Sequence, residues 1–485
     1  MRHRLQPIVS ERRSRFRLTL PTILLPFFVL VLLGRGERIR SPLDEREADL
    51  ALAAQPANWS ASATRARPAS SWTPTATALA SIAPLTLGSA ERHLRLPGVF
   101  AGAAAAALAV VLGERLYATR VGLFASLLLI LLPAAPVLLG DRYGVEPWYL
   151  VAMLAALVAI RDFDESRRAA RVAGVACGVA IALVGRDAAW LPALALAWLW
   201  LRRSLDARSA LGVLVPCAAT AAGLSLATEL ALDPSGGLDG LPARLWARHL
   251  LARPDAPEGL LRCLVPLGPL VILGLARLPS NWRSDDSFRF LLAWLLLALV
   301  DLHRGGSAIT PWVGLLFIAA TLAAWGIARA RWPAALAATA LAAALAAMLL
   351  PPPWMSRFRT PLDEWAARET ARFVRRTIPP ETPVGTEAPG IGRRLAYYAK
   401  RMILPPEEID RAEIAILGQE RFRALAARVA SRDEPAATDP HPRMIAQFGP
   451  WVVARTRGSR AGAKGGLPGL SPEPGPPPGD GRKPQ

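Results

Sequence analysis

Cysteine is scarce in this chain. The 485 residues hold three, Cys177, Cys217 and Cys263, all inside or beside apolar blocks. No C-x-x-C pair and no Cys/His spacing suited to a metal occurs, so a disulfide framework and a structural zinc site are excluded and the thiols read as small core residues. There is no repeat at a solenoid period. The repeated halves and broken mid-membrane helices of a secondary transporter are also missing. No A-x-A-like cleavage site closely follows the first apolar run. Arg12, Arg13, Arg15 and Arg17 ahead of 18–34 therefore read as the flank of an uncleaved first span, not as a signal peptide.

Long apolar runs, by contrast, are abundant. Hydrophobic residues make up 52% of the chain and mean hydropathy is +0.28. They fall in blocks such as 101–112, 123–139 and 334–350. A span needs about 20 mostly apolar residues to cross about 30 Å of hydrocarbon, and so many blocks exclude an ordinary globular enzyme. The formal net charge of +19 would suit nucleic acid if it lay on one face. Here the arginines lie between apolar blocks, where they hold short loops in the cytoplasm, and nucleic acid is not expected as a partner.

Hydropathy and loop charge predict a multi-pass α-helical membrane protein of about eleven spans. These fall at 18–34, 96–113, 121–139, 148–160, 172–185, 188–201, 209–228, 260–276, 288–302, 309–327 and 333–350. With a basic cytoplasmic N-terminus at 1–17, the short arginine-bearing loops at 114–120, 161–171, 202–208, 277–289 and 329–331 all fall inside. Residues 35–94 form an outer loop, and 351–485 lie outside. Within that loop, 75–88 is apolar but short and holds Pro84, and it reads as an interfacial or re-entrant helix. The tail predicts a small extracytoplasmic α/β domain over 351–457, with helices at 361–377, 393–400 and 420–429 and strands at 383–386, 413–417 and 449–455. Residues 458–485, rich in Gly, Pro and Ser, read as disordered.

The strongest local feature is Ser41-Pro42-Leu43-Asp44-Glu45-Arg46-Glu47-Ala48-Asp49, which puts four carboxylates just outside the first span. It reads either as the solvated acidic start of an amphipathic helix or as a general base at the membrane face. A second polar turn, Asp141-Arg142-Tyr143-Gly144-Val145-Glu146, faces the same side and could converge with it. Further outward-side candidates are Arg186-Asp187, His249 with Arg248 and Arg253, and His303-Arg304. A guanidinium fork suits a phosphate, although each could equally be an interface anchor. Tyr397 and Tyr398 read as core of the tail domain.

The layout resembles the polytopic glycosyltransferases of the GT-C fold that use lipid-linked sugars. It is most similar to the bacterial branch with the protein O-mannosyltransferases and the aminoarabinose transferases of lipid A. The residues that carry the likeness are the acidic pair Asp44-Glu45, the stretch Gly88-Ser89-Ala90-Glu91-Arg92-His93-Leu94-Arg95-Leu96-Pro97, and the run from Gly113 through Leu116-Tyr117, Arg120 and Gly122-Leu123. Arg142 with Glu146 matches a second acidic motif. The chain departs from the pattern at Trp72-Thr73-Pro74-Thr75, where many members have Lys-Pro-Pro-Leu, and Arg186 stands where a lysine is usual.

The resemblance implies a transferase of the inner membrane that moves a sugar from a polyprenyl-phosphate donor to an extracytoplasmic lipid, glycan or protein. Asp44 and Glu45 are its implied catalytic residues, with Asp44 as general base. Glu146 and Asp141 would position the acceptor or a metal, and Arg142, Arg186, Arg304, His249 and His303 would hold the donor phosphate. A divalent cation is a candidate cofactor with no ligand set singled out. A degenerate, non-catalytic scaffold and a transporter or flippase are the rival readings.

Overall fold

A computed structural model describes residues 42–54, 72–87, 90–131, 143–163, 167–202, 206–232, 268–276, 285–305, 309–328, 362–387, 391–401, 403–430 and 443–455. The chain divides into two compact units. One is helical and contains residues 1–378 and 390–402. The other contains 379–389 and 403–485.

In the helical unit the elements are α1 (Glu45–Ala53), α2 (Pro74–Thr86), α3 (Glu91–Leu116), α4 (Thr119–Leu131), α5 (Glu146–Arg161), α6 (Arg167–Val184) and α7 (Trp190–Leu201). They continue as α8 (Ala207–Leu232), α9 (Gly268–Ala276), α10 (Asp286–Gly305), α11 (Ile309–Ala328) and α12 (Leu362–Thr377). The second to tenth apolar runs each coincide with one helix, α3 to α11 in order. The first and eleventh runs lie outside the described residues. Among those described, three helical stretches are long and apolar enough to cross a membrane: Glu91–Leu116, Arg168–Ala188 and Ala207–Ala231. The α2 helix holds the segment read as interfacial. Its 13 residues rise only about 20 Å, short of the hydrocarbon thickness.

Small residues set how closely these helices pack. On α6, Gly174 and Gly178 are spaced four apart, so they share a face. A Cβ on Gly174 would meet the carbonyl oxygen of Val213, and one on Gly178 that of Cys217, both on α8. This is the small-xxx-small contact of membrane helices, where close backbone approach replaces hydrophobic drive. Cys177 and Cys217 are buried free thiols at this same seam, which matches their reading as core.

At the C-terminal ends of α3, α5 and α7 the loop arginines gather with the start of α10. Arg115 pairs with Asp162 at 3.1 Å and Arg202 with Asp286 at 2.7 Å. Arg161 and Arg202 both lie over the Trp198 ring, 5.6 and 5.0 Å from its centre. Ser287 donates to the carbonyl of Leu116. Arginines from three of the loops assigned to one side therefore do share one end of the bundle.

Composition and hydropathy place one boundary at 351, but the compact units divide differently. Helices α12 and α13 (Gly392–Ala399) belong to the helical unit. The smaller unit is a four-stranded sheet of β1 (Val384–Thr386), β2 (Ile414–Gly418), β3 (Arg443–Phe448) and β4 (Trp451–Arg455), in the order β1-β2-β4-β3. β1 and β2 are parallel, with Gly385 opposite Ala415. β2 and β4 are antiparallel, as are β4 and β3, the latter with a register shift between Met444 and Ala446. Helix α14 (Gln419–Ala430) packs Phe422 and Leu425 on Ala415, Leu417, Val452 and Ala454. Strand β3 is not among the strands that the sequence predicts. It is an edge strand, largely exposed, and lacks the buried alternation that marks a strand in sequence.

Candidate functional site

The site is built around α1. Asp44 is its N-cap and Glu47 its third residue, and together they form a capping box. The Glu47 N–H donates to Asp44 Oδ1 at 2.8 Å, and the Asp44 N–H donates to Glu47 Oε2 at 2.9 Å. Two amides that a helix start leaves orphaned are thereby satisfied. The acidic run thus does begin a helix, but not a solvated one, since Glu47 and Asp49 are buried.

Glu47 does more than cap. Its carboxylate is 4% exposed and takes a two-pronged grip from Arg95 of α3, itself 2% exposed. Nε donates to Oε1 at 2.8 Å and Nη2 to Oε2 at 2.7 Å. Arg95 Nη2 also reaches the carbonyl of Pro42 at 3.2 Å. The Tyr143 backbone N–H completes the arrangement by donating to Glu47 Oε1 at 2.5 Å. A buried carboxylate needs this number of partners to offset its desolvation. The Tyr143 hydroxyl donates in turn to the carbonyl of Ala80 on α2 at 2.6 Å. Burial holds that hydroxyl well above its usual pKa, with the nearby Tyr397 and Glu47 adding to the shift.

Glu146 opens α5, where the helix dipole favours a carboxylate. It is buried, and Gly144 is its floor, since a Cβ there would collide with Glu146 Oε2. Between α2, the start of α3 and this turn lies a small cleft, lined among others by Ala80, Ala83, Leu94, Tyr143, Gly144 and Trp148.

The middle of α1 is held as well. Asp49 accepts from the Trp72 indole at 3.0 Å and pairs with Arg393 of α13 at 2.5 Å. Thr73, the N-cap of α2, donates to the carbonyl of Leu183 at 2.8 Å, and that residue lies one turn before Arg186. Trp72 and Thr73 are thus committed to structural bonds. On the remaining side Tyr398 accepts from the Leu43 N–H at 2.8 Å and donates to Glu91 at 3.3 Å. Glu91 also pairs with Arg368 of α12 at 3.2 Å.

Of the residues singled out in sequence, Asp44 and Glu146 belong to the segments that Glu47 and Tyr143 join. Arg186 is 43% exposed, with Asp187 3.9 Å away. His303 is exposed near the end of α10. Asp141, Arg142 and His249 lie outside the described residues, as do the side chains of Glu45 and Arg304. Sequence reasoning does not single out Glu47 and Arg95 as individual groups, although both stand inside quoted motifs. Tyr397 and Tyr398, read as core of the tail domain, belong to the helical unit, Tyr397 buried and Tyr398 partly buried. Among the described residues no group of three or more His, Cys, Asp or Glu side chains is placed to hold a metal. Glu47, Asp49 and Glu91 are each turned toward an arginine, and these three carboxylates do not fit a cation site.

These helices define an integral membrane protein with the architecture of the GT-C transferases and a small mixed sheet near its C-terminus. The particular structures it resembles include ArnT from Cupriavidus metallidurans. In the apo state that protein superposes with a TM-score of 0.62 at 13% identity, over 91% of this chain and 99% of ArnT. Bound to undecaprenyl phosphate, ArnT gives 0.60 at 13% identity over the same shares. The Archaeoglobus fulgidus oligosaccharyltransferase in its apo form gives 0.50 at 13%, over 83% of this chain and 69% of that one. No protein-family model and no curated protein matches the sequence.

Proposed function

We propose that this protein is a membrane glycosyltransferase that takes a sugar from a polyprenyl-phosphate donor and passes it to a lipid, glycan or protein acceptor on the extracytoplasmic face of the inner membrane. The observation that carries the reading is the position of Asp44. Its carboxylate is partly exposed at the N-terminus of α1, and the helix beneath it is fastened by the Glu47–Arg95 pair. The fold likeness supports it, because ArnT has been solved with undecaprenyl phosphate bound.

In this reading Asp44 takes the proton of the acceptor hydroxyl as its oxygen attacks the anomeric carbon. The bond from that carbon to the phosphate oxygen breaks, the configuration inverts, and the phosphate leaves with its charge. Arg142, Arg186 and Arg304, with His249 and His303, are the groups assigned to meet that charge. Glu45, Glu146 and Asp141 are assigned to orient the acceptor. A non-catalytic scaffold is the second reading, and it is favoured by the structural use of Trp72 and Thr73 where the family has its lysine motif.

The test is transfer from radiolabelled polyprenyl-phosphate sugars in membranes, with wild type beside Asp44→Asn. Transfer in the wild type that Asp44→Asn abolishes at equal expression supports the reading. Equal transfer in both removes Asp44 as base, and none from any donor with a range of acceptors favours the scaffold.

A further inference from the structure

We infer that helices α12 and α13, which follow the apolar runs in sequence, clamp the start of α1, and that Tyr398 is a positioning residue for Asp44. The inference rests on the transferase reading above.

The clamp is visible in its bonds. Leu43 immediately precedes the N-cap, so its N–H lies outside the helix ladder and needs another partner. That partner is the Tyr398 hydroxyl, 355 residues away in sequence and 2.8 Å away in space. A hydroxyl can accept and donate at once, and this one donates a hydrogen bond to Glu91 at 3.3 Å. Glu91 is fixed by Arg368. Burial, with the charge of Glu91 behind it, raises the pKa of Tyr398, so the phenol keeps that proton across the neutral range. The ring is braced edge-on against Tyr397, with centroids 5.1 Å apart at 83°. At the middle of α1, Arg393 of α13 grips Asp49 at 2.5 Å.

Helix α1 has nine residues, far too few to persist without tertiary contacts. Its N-terminus therefore stays where its neighbours hold it, and Tyr398 supplies the contact adjacent to Asp44. A reacting group displaced by about 1 Å can cost on the order of a hundredfold in rate. Tyr398→Phe keeps the ring and its packing and removes only the hydroxyl.

The experiment uses the full chain in detergent micelles. Hydrogen–deuterium exchange of the peptide covering 42–54 is compared among wild type, Tyr398→Phe and Arg372→Ala, an exposed control on α12. Transfer kinetics and melting temperature are measured in parallel. The expected result for Tyr398→Phe is faster exchange in that peptide, a kcat about tenfold to a hundredfold lower, and KM and melting temperature close to wild type, with the control unchanged throughout. Exchange in Tyr398→Phe equal to wild type overturns the clamp. Faster exchange with unaltered kcat, or an equal fall in stability and activity, overturns the positioning role. Absence of transfer in wild type overturns the transferase reading instead, and the exchange arm still decides the clamp.

Discussion

The backbone N–H of Tyr143 and the carboxylate of Glu47, 96 residues apart in sequence, meet at 2.5 Å. This bond joins the segment that carries Asp44 to the one that carries Glu146. Because Arg95 holds the same carboxylate, one side chain fixes α1, α3 and the turn before α5 to one another.

Removing one member of that pair strands the other in a dry site. Arg95→Ala and Glu47→Gln are each expected to destabilise the helical unit by about 3–5 kcal/mol, read as a fall in the detergent melting temperature. Replacing both by apolar residues should lose less than the sum of the single losses, and a double-mutant cycle measures the difference.

Asp44 has two duties that substitutions can separate. Asn caps a helix about as well as Asp, whereas Ala costs about 1 kcal/mol at an N-cap. Asp44→Asn should therefore melt near wild type and lose transfer, while Asp44→Ala should lose both. Equal melting of the two variants would remove the capping role.

Gly144→Ala puts a methyl group where the Glu146 carboxylate lies. Relieving the overlap should cost about 1–3 kcal/mol and displace the carboxylate. The expected signature in transfer kinetics is a raised acceptor KM, and an unchanged KM would separate Glu146 from acceptor binding.

Tyr397 and Tyr398 are both held above the ordinary tyrosine value of 10.0, burial being the largest cause and the charge of Glu91 the next. The folded state keeps protons that the unfolded chain releases. Their stabilising contribution is therefore fully present up to about pH 10 and lost as the pH rises beyond it. Thermal melts should show no slope from these groups between about pH 7 and 9 and a decline above about pH 10, and the decline should be smaller in Tyr398→Phe.

Much of the helical unit is legible in sequence because a long series of span-length apolar runs is stable in few surroundings besides a bilayer. The middle nine runs are bounded to within a few residues of α3 to α11 wherever both ends are described. The Gly174-x-x-x-Gly178 spacing is equally legible as a helix-packing signal, but it does not say which helix will be the partner. The candidate site is only half legible. Asp44-x-x-Glu47 is a capping signature, but nothing along the chain says that Arg95 selects Glu47 over Glu45 or Asp49, because that choice depends on how α1 meets α3. The tail divides unexpectedly for a similar reason. The pattern at 393–400 predicts a helix, while its buried face and Tyr398 find their partners in α1 and α3, hundreds of residues earlier.

The separation of β1 from the rest of its sheet by α13 has a consequence for dissection. The chain passes between the two compact units three times, near 378, 389 and 402. A single cleavage within 379–389 therefore leaves two strands of polypeptide still tying the sheet to the helices, and no contiguous fragment contains all four strands without also carrying α13. The smaller unit is laced into the chain, not appended to it, and a stop codon early enough to remove all four strands also removes α13 from the helical unit.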